Sequence, residues 1–140
     1  MTDSPVTPSL PSLEDAFATL SELGAALNQG TDSLNHILQG AEKRLDQLNL
    51  HVEAEVKLPP SSADEKDSYF GYGQRVLNRT SGWGLYHRAE GEPCGRSVFD
   101  CSRDVRIRVV ALLPKLLKAV EARTRKLLSE IEEAKKAQAG

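Results

Sequence analysis

The segment Asn78 to Cys101, NRTSGWGLYHRAEGEPCGRSVFDC, holds the chain's only Trp, one of its three His and both of its Cys. His87, Cys94 and Cys101 are residue types that bind zinc or supply a thiolate nucleophile. Their spacing argues against both roles. Successive members of the trio lie seven residues apart, whereas small zinc sites draw two ligands from one tight turn such as C-x-x-C. Cys101 falls near a helix start, where a thiol pKa can drop, but no His adjoins it in sequence. The two Cys are read as independent thiols, one in a loop and one in a first helical turn. No metal and no cofactor is expected, and no catalytic residue is assigned.

Gly71-Tyr72-Gly73 resembles a phosphate-cradling loop only in part, because the third Gly of G-x-G-x-x-G is missing and the following residues read as extended. On a strand, Gly71 and Gly73 share one face and leave a bare backbone shelf. Such a shelf accommodates a large neighbouring side chain. The alternative is a ligand, for which Arg75, Tyr86 and Arg88 would be the polar groups at hand. His51, Glu53 and Glu55 share a strand face, where cross-strand charge pairing explains them. His36, beside the Leu34/Leu38 seam, reads as packing or surface. Asn78-Arg79-Thr80 matches a glycosylation sequon, without a secretion signal to give it meaning.

The bases Arg103, Arg106, Arg108, Lys115 and Lys118 begin a basic stretch that runs to Lys126. Phosphate contacts are made mainly by Arg and Lys, so nucleic acid is an alternative partner. Against it, the bases are spread around the helix and the protein is acidic overall, with pI near 5.9.

Elements must position these groups. Residues 1–11 carry Pro5, Pro8 and Pro11 among Ser and Thr and read as a disordered tail. A domain is expected over 12–137, with 138–140 frayed. From Leu13, apolar residues recur at alternating steps of four and three: Phe17, Leu20, Leu27, Leu34, Leu38, Leu45 and Leu48 lie on this seam with Gly24, Thr31 and Ala41. That is the buried stripe of one long helix. The stretch Asn28–Ser33 contains cap-like residues, but the register runs through it unbroken.

Leu50 to Leu58 alternates apolar and polar, which predicts a strand closed by Pro59-Pro60. Tyr69–Arg79 and Trp83–Ala89 are the second and third strands, joined by a Thr80-Ser81-Gly82 turn. Trp83, Leu85 and His87 would face the core, with Trp83 capping its end, while Tyr86 and Arg88 face away. Asp100 or Ser102 caps a last helix to about Ala137, kinked at Pro114.

The fold expected is therefore α+β, a long helix, a three-stranded antiparallel meander and a long helix, with both helices on one sheet face. A helix of about 35 residues spans roughly 50 Å, against about 30 Å for a nine-residue strand. The helix stripes outrun the sheet, so something else must cover them.

The formal charge is −2, but residues 1–67 carry −8 and residues 100–140 carry +4. That asymmetry suggests two elements that attract each other. No run reaches the length of a membrane span, and no signal peptide is evident at the N-terminus, so a cytoplasmic protein is expected. The functional expectation is a non-enzymatic interaction module that self-associates or binds a helical protein partner. Its partner-binding residues would be Leu27, Leu34, Leu38 and Leu45 on the first helix, and Leu117, Val120, Leu127 and Ile131 on the last.

Overall fold

The structure, a computed structural model, describes residues 10–74, 76 and 83–139. The chain divides into two compact units at Ser33 and Leu34. The described part of the first unit is helix only. Helix α1 (Leu10–Leu48) begins there, three residues before Leu13, where the apolar register starts. Pro11 fits its first turn because a backbone N–H there would have no intrahelical acceptor. Residues 1–9, the rest of the expected tail, lie outside the described residues. The suspected break at Asn28–Ser33 is helical. Thr31 Oγ1 donates to the Leu27 carbonyl at 2.9 Å and Ser33 Oγ to the Gln29 carbonyl at 3.1 Å, so both hydroxyls are satisfied on the helix itself.

The second unit contains α1 from Leu34 onward, strands β1 (Ala54–Leu58), β2 (Ser68–Gly73), β3 (Gly84–Ala89) and β4 (Arg96–Ser97), a single 3-10 turn (Val98–Asp100), and helix α2 (Arg103–Ala139). The sheet is antiparallel throughout, in the order β1-β2-β3-β4. The α+β layout matches the expectation, with a fourth strand added. A two-residue strand has no periodicity to read, and Arg96–Ser97 exists because it pairs with Tyr86 and His87. The Thr80-Ser81-Gly82 turn lies outside the described residues.

The first strand is shorter than its alternation suggests. Asn49 and His51 both have positive φ, 53° and 51°, so the chain leaves α1 through two left-handed residues and becomes a strand only at Ala54. Asn tolerates that conformation, while at His51 the left-handed backbone costs about 1–2 kcal/mol. The His51 ring stacks on Trp83 with centroids 5.4 Å apart, and Trp83 also meets Tyr72 at 5.7 Å.

One sheet face carries the core. Leu58, Phe70 and Leu85 are fully buried there with Val56, and Leu38, Val109 and Leu116 of the helices cover them. Two carboxylates four residues apart tie α1 to the sheet. Glu42 Oε2 accepts from the Leu85 amide at 2.8 Å, and Asp46 Oδ1 accepts from the Tyr72 hydroxyl. Ser102 caps helix α2: its hydroxyl accepts from the Val105 amide at 3.3 Å. The helix continues to Ala139 with Pro114 inside it, and so takes in residues 138 and 139.

Candidate functional site

The face of the sheet away from the core is closed by its own side chains. Glu55, Gly71, Tyr86 and Ser97 are successive partners across the four strands. Because Gly71 has no side chain, the Tyr86 ring lies over it and its hydroxyl donates to Glu55 Oε2 at 2.7 Å, two strands away. A Cβ on Gly71 would sit 2.6 Å from Tyr86 Cζ, and one on Gly95 would sit 2.3 Å from Tyr86 Cδ1. Gly73 is covered by Glu53. Arg88 forks onto Glu55 through Nε at 2.8 Å and Nη2 at 2.9 Å, and its guanidinium carbon lies 4.7 Å from the Tyr69 ring centroid. Burial, then the hydrogen bond to Glu55, pushes the Tyr86 hydroxyl far above its usual pKa. The shelf expected at Gly71 and Gly73 is thus filled from within, and Tyr86 and Arg88 are its filling rather than a lining for a ligand. Arg75 lies outside the described residues.

The bases named as nucleic-acid contacts divide. Arg106 Nη1 donates to Asn35 Oδ1 at 2.8 Å. Arg108 Nη1 donates to the Pro59 carbonyl at 3.0 Å, and Nη2 meets Glu65 at 3.3 Å. Arg103 is half-buried. Arg106 and Arg108 are thus bound into the fold, while Lys115 and Lys118 are exposed. Further along the same stretch Arg123, Arg125 and Lys126 are exposed as well.

The His and both Cys share one cleft. His87, Cys94 and Cys101 line this cleft of about 520 Å³, with Arg96 and Ser102 at its wall. Burial, then the positive charge of Arg108, lowers the His87 pKa, and burial raises that of the Cys101 thiol. Both shifts favour the uncharged forms, so the Cys101 thiol is not activated as a nucleophile. No group of three or more His, Cys, Asp or Glu side chains is placed to hold a metal ion among the described residues.

The helix stripes split in two. Leu38, Leu45 and Val120, expected to face a partner, are buried within the second unit. They cover the sheet, so the fold itself uses them. Leu34 and Leu127 are half-buried. Leu27, Leu117 and Ile131 remain 48, 42 and 50 % exposed. A larger exposed set precedes them on α1: Leu13, Phe17, Leu20 and Leu23, with Phe17 at 68 %. In the second unit, a groove of about 460 Å³ runs between α1 and α2, floored by Ile37, Gly40, Ala41, Leu48, Leu113 and Leu117 and flanked by His36 and Arg44. Sequence reasoning missed this groove. The signal available in the sequence was Ile37, a large apolar residue off the four-three seam, and it is 48 % exposed.

No protein-family model, curated protein or solved structure matches the chain. No described helix is long and apolar enough to cross a membrane.

Proposed function

We propose that this protein is a non-enzymatic interaction module that self-associates through the seam of α1. The observation that carries the reading is the exposure of Leu13, Phe17, Leu20, Leu23 and Leu27 on one helix, between 42 and 68 % each. Five large apolar side chains at helical spacing form a contiguous patch of the kind that marks a protein interface. Covering it with a second helix removes apolar surface worth about 25 cal/mol per Å² from water. The closed outer sheet face and the unactivated thiol leave this seam as the surface best suited to recognition.

Light scattering across 1–100 μM tests the reading, a range that brackets the roughly micromolar affinities of specific complexes. A mass that rises to a dimer or more is expected. A monomer mass throughout overturns self-association.

A further inference from the structure

The apolar face of α1 before Leu34 is wider than one partner helix covers. At about 100° per residue, Leu13 and Leu27 fall within about 20° of Leu20, Phe17 lies about 60° to one side, and Leu23 about 60° to the other. All five are exposed. An arc of about 120° is the broad stripe of a helix that packs inside a bundle, whereas the seam of a two-stranded coil is narrower. We infer that three or more copies of this chain assemble through this face, each α1 lying between two others. The inference rests on the self-association proposed above and states how many neighbours the seam takes.

The continuation of the same helix shows what a wide arc needs. In the second unit Leu38 and Leu45 are buried over the sheet. Ile37, about 100° round the helix from Leu38, instead lines the groove with Leu113 and Leu117 of α2. Apolar side chains that far apart on one helix meet different neighbours. Phe17 and Leu23 are farther apart still, and they are 68 and 60 % exposed. A pair of helices would bury Leu20 with one of them and leave the other in water, and a third helix removes that remainder.

The borders of the arc suit identical neighbours. Beyond Phe17 the next residues round the helix are Asn28 and Ser21, and beyond Leu23 they are Ser12, Gly30 and Thr19. None is charged. Glu14 and Asp32 come later, about 120° from Leu20, and Asp15 and Glu22 stand about 140–160° away. In a bundle of copies each border meets the border of another copy, where acids would repel their own kind. Here the acids point outward and no charge is buried. Ion pairs at such borders are also what selects one helical partner over another, and this helix offers none. Residues 10–33 contain no Lys or Arg, so they lack the cations that hold amphipathic helices on anionic membranes.

Sedimentation equilibrium of the full chain and of three variants tests this: Leu20→Ser at the centre of the arc, Phe17→Ser at one edge and Leu23→Ser at the other. All three positions are exposed, and Trp83 fluorescence checks that the second unit stays folded. At about 100 μM, well above typical micromolar affinities, the parent should have the mass of three or more 15.3 kDa chains. Each variant should assemble roughly tenfold or more weakly than the parent, the two edges alike. Suppose Leu20→Ser weakens assembly, but the parent mass stops at two chains or one edge variant assembles as the parent does. The bundle is then overturned, and self-association through the seam stands. If the parent assembles and none of the three variants weakens it, another surface is at work and both readings fall. A parent that stays monomeric throughout also overturns both.

Discussion

Helix α1 is one helix with two fates. Its four-three apolar register runs from Leu13 to Leu48 without interruption. In the first unit the register residues Leu13, Phe17, Leu20 and Leu27 are exposed, while in the second Leu38 and Leu45 are buried. The apolar spacing is the same in both, so spacing does not decide what covers a seam. The polar residues between the seam positions differ. After Leu34 they include Asn35, Glu42 and Asp46, which bond Arg106, the Leu85 amide and Tyr72. Before Leu34 they are acids, Ser, Thr, Asn and Gln with no base. A buried half needs polar groups that match the backbone and side chains it covers. An exposed half needs only to stay helical and carry charge.

The largest effect that can break this comparison comes from paired Leu truncations. Leu38→Ala removes a side chain with no exposed surface and should destabilise the second unit by about 2–5 kcal/mol. Leu20→Ala, 59 % exposed, should leave that unit unchanged within about 0.5 kcal/mol and weaken self-association instead. Urea denaturation followed by the fluorescence of Trp83 reads the first effect, and light scattering the second. Equal destabilisation by the two substitutions would show that the halves do not differ.

The alternation of Val52, Val56 and Leu58 made the buried face of the first strand legible, and Phe70 with Tyr72 did the same for the second. What stayed hidden depends on residues far apart in sequence. The left-handed backbone at Asn49 and His51 leaves only a weak compositional signal, because Asn and His are enriched at positive φ yet adopt it in a small minority of their occurrences. The cleft that unites His87 with Cys94 and Cys101 forms only once β4 pairs with β3. The groove needs α1 and α2 side by side. The partner residues were half legible for a related reason. A heptad seam names apolar positions, and only the tertiary fold separates Leu38, which covers the sheet, from Leu27, which does not.

A smaller effect sharpens the contrast between a glycine that is covered and one that is open. Gly71→Ala would place a Cβ 2.6 Å from Tyr86 and 2.8 Å from the Ala54 carbonyl oxygen. Overpacking of this kind costs about 1–3 kcal/mol, and because one contact is with backbone, adding Tyr86→Phe should not restore stability. Denaturation midpoints of the single and double variants decide it. Full stability of Gly71→Ala would mean that the Tyr86 ring swings aside freely, and the outer face could then admit a ligand.

The pH dependence of the second unit gives a subtler effect. Burial, then Arg108, holds the His87 pKa below its usual 6.5, so the unfolded chain takes up a proton before the folded one. Stability is therefore unaffected above about pH 7 and falls as pH drops below about 6.5, until the folded imidazole itself protonates. His87→Asn should flatten that fall. The comparison is best made between about pH 7.5 and 5.5, above the range in which Glu65, held at about 2 by hydrogen bonds from Ser61, begins to matter. An unchanged slope in the variant would place the titrating group elsewhere.

The smallest effect returns to the first unit. A Cβ on Gly24 would meet nothing within 4 Å, so alanine adds no clash there. Gly inside a helix is less favourable than Ala by about 0.8–1.0 kcal/mol, mostly through the backbone freedom it gives up. Gly24→Ala should accordingly raise the helix signal in far-ultraviolet circular dichroism at low micromolar concentration. The midpoint reported by Trp83, which lies in the second unit, should not move. A lower helix signal, or a shift of several degrees in the Trp83 midpoint, would show that Gly24 sits against a packed surface. The exposed half of α1 would then need its smallest seam residue as much as the buried half needs Leu38, and the two halves would be governed by the same rule.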